Sequence, residues 1–271
     1  MLTGMTDWDA AYSNAAYIPD SGRWPAAWDG PARDYRAAML AADRAKLDLP
    51  YGAHARQRFD LFLPVGKPLG LLVFVHGGYW LAFDKNSWSH FAGGALARGC
   101  AVAMPSYRLC PEVRIGTIAQ DISDAVAAAG AMIDGPILLA GHSAGGQLVA
   151  RLATTSSPLA PPLHDRLRRV TPISGLHDLK PLMLTKMNAT LQIDAGEALR
   201  ESPAYLMPLP GVTITAWVGA DERPEFLRQN DLLGAVWPGV KVHRATARHH
   251  FDVLDPLVDP HSDLIAAILG S

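Results

Sequence analysis

Three short stretches of this sequence hold residue types that together could make a nucleophilic relay. They are Gly141-His142-Ser143-Ala144-Gly145, the pair Asp221-Glu222, and Arg248-His249-His250-Phe251-Asp252. A serine hydroxyl alone is a poor nucleophile at neutral pH. It becomes effective when an imidazole takes its proton and a carboxylate holds that imidazole in one tautomer and stabilises its charged form. Serine, acid and histidine in this chain order, each on a loop after a strand, is one established arrangement of such a trio.

The serine stretch is the most specific of the three. It follows the apolar run Pro136-Ile137-Leu138-Leu139-Ala140, and a helix is predicted from about Ala144. Strand, sharp turn and helix make a nucleophile elbow, with the hydroxyl exposed at the tip of a sheet beside a helix N-terminus that favours negative charge. Gly141 and Gly145 fit a turn where neighbouring segments come too close for a side chain. A bare G-x-S-x-G arises often by chance, and it is this context that gives it weight.

Residue types alone leave two choices open. Asp221 and Glu222 are adjacent after the apolar run Thr213 to Val218, so only one can reach a histidine while the other can cap the helix expected near Pro224. His249 and His250 are likewise adjacent after the last strand. Asp121, Asp124 and Asp178 come from unsuitable segments and read as caps or solvated groups. His76-Gly77-Gly78 follows another apolar run ending at Val75. With the amide of Ala144, the amides of Gly78 and Gly77 can form an oxyanion hole, where one donor is worth about 3 kcal/mol in the transition state. His76 reads as a structural residue orienting that loop.

These loops require strands to hold them. Phe59–Leu63 alternates like a strand, and Leu71–Val75 is a continuous apolar run suited to burial on both faces. Further strands are predicted at Ala101–Met104, Arg169–Ile173, Val212–Val218 and Val240–Arg244. Helices are predicted at Ser87–Ala97, Ile118–Ile133, Ala144–Thr155 and Pro256–Leu269. The alternation implies an α/β fold, a mostly parallel sheet covered on both sides. Residues 180–210 read as a partly irregular excursion. Residues 1 to about 50 read as an irregular arm, yet Trp8, Tyr12, Tyr17, Trp24 and Trp28 are too many aromatics for a disordered tail, so the arm is expected to pack on the body. Without repeats, low-complexity tracts or a linker, residues 1–271 read as one domain.

Bulk properties exclude several functions. A net charge of −2 over 271 residues offers no basic face for nucleic acid. No apolar stretch approaches the ~20 residues that span a bilayer. The N-terminal stretch lacks a basic region followed by an apolar core and does not read as a signal peptide. Cys100 and Cys110 flank a predicted buried strand, whose length holds them too far apart for a disulfide. They read as reduced packing thiols of a cytoplasmic protein. No metal-ligand spacing appears, and no cofactor is expected.

With these pieces placed, the chain resembles the α/β-hydrolase superfamily, and within it the hormone-sensitive-lipase-like esterases and the kynurenine formamidases (arylformamidases). Tyr107-Arg108-Leu109-Cys110-Pro111-Glu112 is close to a stretch of the former. His76-Gly77-Gly78-Tyr79-Trp80, with Tyr-Trp where the lipase-like group has a further glycine, looks like the latter. Ile173-Ser174-Gly175-Leu176-His177-Asp178-Leu179 and Ser202-Pro203 resemble both, and the region Tyr12-Ser13-Asn14 is similar to an arm of the formamidases. The resemblance covers Phe59 to the C-terminus. It implies His250 as the base, from the Phe-Asp pair that follows, and Glu222 as the acid, from Pro224 and Phe226 after it. Aspartate is the usual acid there, so glutamate is a departure.

The expected activity is hydrolysis of an N-formyl arylamide such as N-formylkynurenine. Tyr79 and Trp80 beside the oxyanion hole would hold a flat substrate. Trp88, Phe83 and the aromatic N-terminal arm are candidate further walls, with core packing the favoured alternative for Trp88 and Phe83. A general small-ester carboxylesterase shares every catalytic residue, and a non-catalytic ligand-binding protein of the same fold is a third reading. The expected partner is a small aromatic molecule, with no nucleic acid and no membrane. A homodimer is compatible with the sequence.

Overall fold

The computed structural model describes residues 6–270. The first five residues of the predicted arm, and Ser271, lie outside the described residues. In chain order the elements are α1 (Trp8–Tyr12), α2 (Trp24–Ala41), β1 (Ala45–Pro50), β2 (Arg58–Phe62), β3 (Leu71–Val75), α3 (Gly93–Ala97), β4 (Ala101–Pro105), α4 (Ile115–Gly130) and β5 (Ile137–His142). There follow α5 (Ala144–Leu152), α6 (Pro161–His164), β6 (Leu167–Ile173), α7 (Asn188–Leu191), α8 (Ala195–Glu201), β7 (Thr213–Gly219), α9 (Pro224–Val236), β8 (Lys241–Ala245) and α10 (Asp263–Leu269).

The strands form one sheet in the order β1-β2-β4-β3-β5-β6-β7-β8, with β1–β2 and β2–β4 antiparallel and every later pairing parallel. Successive side chains of a strand leave on opposite faces. Leu71, Val73, Val75, Ile137 and Leu139 therefore join one apolar layer, with Ile118 and Leu148 from α4 and α5. Leu72, Phe74, Leu138 and Ala140 join the other, with Trp28, Leu96 and Ile265 from α2, α3 and α10. Burial of both faces explains why these strands read as unbroken apolar runs rather than alternating ones. Burying one such side chain is worth about 1.5–3 kcal/mol.

The parallel pairing has a consequence for function. β3, β5, β7 and β8 all end at the same edge of the sheet, so the loops carrying Gly78, Ser143, Glu222 and His250 emerge side by side.

The N-terminal segment is not irregular. It holds the 18-residue helix α2 and the strand β1. Trp24, Trp28, Ala32 and Met39 are its buried residues, spaced as one helical face, and Pro25 sits in the first turn where a proline loses no hydrogen bond. Reading the tryptophans as scattered hid this period. The helix expected over residues 87–97 is broken into 3-10 turns at Lys85–Ser87 and Ser89–Ala92 before α3. The C-terminal helix is likewise split, a 3-10 segment Asp252–Val258 preceding α10. No helix among the described residues is long and apolar enough to cross a membrane.

Candidate active site

At the end of β5 the backbone of Ser143 sits at φ 55°, ψ −116°, a strained conformation for a residue with a side chain. It is held there by neighbours. The Ser143 amide donates to the carbonyl of Ile173 at 2.8 Å, and its carbonyl accepts from the Gln147 amide at 3.1 Å. The flanking glycines are required by close approach. A Cβ on Gly141 would lie 2.2 Å from the Gly145 carbonyl oxygen, and one on Gly145 would lie 2.1 Å from that of Val75. Both obstacles are backbone, so neither can swing aside. Gly145→Ala is expected to cost more than about 3 kcal/mol and to leave little folded protein, read as soluble yield and Tm. A variant with native Tm would show that the elbow can relax.

Of the two adjacent acids only one touches a histidine. Asp221 is exposed. Glu222 turns inward, where its Oε2 accepts from His250 Nδ1 at 2.6 Å. Its Oε1 accepts from the Gly219 amide at 2.9 Å and from the Ser174 hydroxyl. The extra methylene of glutamate therefore spans to the imidazole while both oxygens stay bonded. This contact assigns the proton to His250 Nδ1 and leaves Nε2 as the basic nitrogen. His249 is occupied otherwise. Its Nδ1 accepts from the amides of Phe251 and Asp252 at 3.1 and 3.2 Å, and its ring packs edge-on against Trp24.

Ser143 and His250 line the same cavity, of about 500 Å³. Among the described residues no hydrogen bond joins the Ser143 hydroxyl to the His250 ring, whose bonded nitrogen is Nδ1, towards Glu222.

Gly78, at φ 110°, lines the cavity too, and a Cβ there would meet the Ala82 carbonyl oxygen at 2.5 Å. Among the described residues none accepts from the amides of Gly78 or Ala144, so both donors are free for an incoming oxygen. Gly77 packs on the elbow beside them, where a Cβ would lie 3.0 Å from the Ser143 Cβ, and among the described residues its amide likewise has no acceptor.

Three histidines shape this region without facing solvent. His76 Nδ1 bonds the Gly77 carbonyl at 2.7 Å and its ring stacks on Tyr107 at 4.3 Å, as expected of a residue orienting the loop. Burial pushes its pKa down to about 4. His142 Nε2 bonds the His250 carbonyl at 2.8 Å, and burial, with the nearby His250, holds it well below the usual range. His177, wholly buried, is pushed down to about 3. All three are neutral when folded and take up protons on unfolding. Their contribution is thus intact above the unfolded pKa of about 6.5 and is lost as pH falls towards the folded values. Between pH 7 and 5, His76 and His177 should each remove about 2 kcal/mol of stability, and His142 acts in the same direction. Urea midpoints at the two pH values check this, and an unchanged midpoint would contradict it.

The cavity walls are aromatic. Tyr79, Phe83, Trp88 and Phe251 come from the body, and Tyr12, Trp24 and Trp28 from the N-terminal segment. Tyr79 ties the two together, its hydroxyl donating to the Tyr12 carbonyl at 2.6 Å. Tyr12 in turn donates to Glu225 at 2.8 Å. Thr185 and Met187, from the excursion after β6, close another side. Among the described residues no lysine or arginine lines this cavity.

One expectation about aromatics is reversed. Trp80 is not a wall residue. It is fully buried in the core, and its Nε1 donates to Gln147 at 3.2 Å. Trp88 meets both of its readings, packed in the core and lining the cavity, and Phe83 lines it too. Neighbours in a turn point to different sides, so Tyr79 and Trp80 could not both face the substrate. Asp121 is likewise no solvated group. It is fully buried and accepts from Arg108 at 2.6 Å and from Gln57 at 3.0 Å. The contributions of Asn14 and Ser174 to the site carry no signal in the sequence, whereas the aromatic arm, a candidate wall, does supply Trp24 and Trp28.

With this geometry in hand, known proteins offer a comparison. Residues 72–202 match a family described by the alpha/beta hydrolase fold. The kynurenine formamidase of Salmo salar is 28% identical over 251 residues, covering 86% of this chain and 83% of the relative. That of Danio rerio is 26% identical over 237 residues, covering 82% and 80%. A Silicibacter sp. TM1040 crystal structure, provisionally called a thioesterase, is 52% identical, with a TM-score of 0.94 over 98% of this chain and 99% of that one. Esterase B of Lactobacillus rhamnosis shares the fold at 18% identity, with a TM-score of 0.64 over 86% and 89%. The chain belongs to the alpha/beta hydrolase family.

Proposed function

We propose that this protein is a serine hydrolase that removes the formyl group from an N-formyl arylamine, with N-formylkynurenine the first substrate to test. The observation that carries the reading is the cavity itself: Ser143 and His250 line one aromatic-walled space, with Glu222 hydrogen-bonded behind the histidine. The formamidases similar to most of this chain support the choice of acyl group. The two free, buried cysteines support a reducing, cytoplasmic setting.

In this mechanism the Ser143 oxygen attacks the formyl carbon while His250 Nε2 takes the hydroxyl proton. The oxygen of the tetrahedral adduct is held by the amides of Gly78 and Ala144. The C–N bond then breaks, and His250 gives its proton to the departing arylamine. Water attacks the formyl-serine ester, again through His250, and formate leaves as Ser143 recovers its proton. Trp24, Trp28, Tyr79 and Trp88 hold the aryl group.

The 52% identical Silicibacter protein, with its provisional thioesterase label, supports a second reading in which the acyl group leaves from sulfur or oxygen. The test is kcat/KM of the purified protein on N-formylkynurenine, p-nitrophenyl acetate and an acyl-N-acetylcysteamine thioester. The proposal expects the formamide to be the best substrate. Turnover of the ester or thioester with none of the formamide would overturn it.

A further inference from the structure

The N-terminal segment brings one polar side chain to the cavity under unusual conditions. Asn14 follows α1 and lines both the aromatic cavity and a smaller one bordered by Glu222 and His250. It is 5% exposed, and both ends of its amide, Oδ1 and Nδ2, are shut off from solvent without a hydrogen-bond partner among the described residues. It begins the 3-10 turn Ala15–Tyr17 without capping it. A buried amide with neither end satisfied is costly unless something completes it. No backbone or side chain of the described protein does so, and the group borders the place where substrate must lie.

The surroundings define what could complete it. Among its described lining residues the aromatic cavity has no lysine or arginine, and its one carboxylate, Asp9, already accepts from the Lys186 amide at 2.7 Å. Arg223 borders the smaller cavity, but its guanidinium donates to the Ala10 carbonyl at 3.1 Å and lies over the Tyr17 ring. A carboxylate attached directly to the aryl ring and set against Asn14 would be desolvated there without a facing cation, whereas one at the end of a longer side chain need not enter this position. A neutral carboxamide or carbonyl would instead match the amide, taking a hydrogen bond from Nδ2 and, where it has an N–H, giving one to Oδ1.

We infer that Asn14 is a specificity-determining residue that binds an uncharged carbonyl or carboxamide substituent on the aryl leaving group. The inference rests on the aryl reading of the cavity but not on the formyl group. It therefore predicts a ranking of leaving groups, in which 2-carbamoylformanilide exceeds both formanilide and N-formylanthranilate in kcat/KM.

The test measures these three substrates, and phenyl acetate against 2-carbamoylphenyl acetate, with wild type, Asn14→Ala and Asn14→Ser. One hydrogen bond between uncharged groups corresponds to about a tenfold preference. The preference for the carbamoyl substrate should fall by about that factor in Asn14→Ala, mainly through KM, with Tm unchanged or raised because an unsatisfied group has been removed. Asn14→Ser should keep part of the preference. Equal loss on all substrates together with a lowered Tm would assign Asn14 a structural role and overturn the inference, as would a preference unmoved by either variant. If wild type cleaves only the esters, the formamidase reading fails while the ester pair still decides the role of Asn14.

Discussion

Ser143→Ala should lose about 10⁴- to 10⁶-fold in kcat while retaining a Tm close to wild type. The size follows from the chemistry, since no other hydroxyl occupies the elbow and the oxyanion donors alone supply only the residual rate. The intact fold follows from the structure. The strained turn is held by backbone bonds from Ser143 to Ile173 and Gln147, which alanine keeps. A fluorophosphonate probe should label wild type at Ser143 and leave the variant untouched. Full activity in the alanine variant would remove Ser143 as nucleophile. Labelling without turnover of any acyl substrate would leave a reactive but non-catalytic pocket.

Glu222→Gln is expected to cost about 10⁴-fold in kcat, with KM little changed. The carboxylate holds His250 in the Nδ1-protonated tautomer while accepting from Ser174 and Gly219 on its other oxygen. Glutamine has one acceptor oxygen. If that oxygen keeps Ser174 and Gly219, its NH₂ faces Nδ1 and selects the opposite tautomer, with the proton on the nitrogen that should be basic. Glu222→Asp tests reach rather than charge. Shortening by one methylene cannot preserve both sets of contacts, and a misplacement of about 1 Å corresponds to roughly 10²-fold. Ser174→Ala, which frees Oε1 of one bond, should cost about tenfold. Asp221→Asn serves as the control, since Asp221 is exposed and should be near wild type. Equal losses at Asp221 and Glu222 would show that the acid has been misassigned.

Both predictions concern residues that stand out in the linear sequence, and the reason they do is local. The elbow's sequence mark lies within five positions, Gly141 facing the Gly145 carbonyl, although Gly145 itself is required by the more distant Val75 backbone. Strand, turn and helix each leave a mark there: the apolar run, the two glycines, the onset of helical spacing. The mostly parallel sheet is legible for a related reason, because strands buried on both faces must be apolar at every position. Resemblance then narrowed two adjacent pairs to Glu222 and His250 before any contact was known.

Other features depend on segments far apart in the chain. Trp80, beside Tyr79 in the sequence, is core rather than wall, because a turn that sends Tyr79 towards Tyr12 sends its neighbour towards Gln147. Ser174 reaches Glu222 across 48 positions, and Tyr12 reaches Glu225 across 213.

By itself the sequence determined the chemistry on offer: a serine in a forced turn, an acid and an imidazole in workable order, and a sheet able to carry them. Only the tertiary structure decided which side chains face the cavity, that the N-terminal segment supplies much of its wall, and that Asn14 meets it unpaired. Local sterics can be read from neighbours in the chain. The direction of a side chain is set by whatever packs against it, and here those partners lie as far as 67 residues away for Tyr79 and 213 for Tyr12.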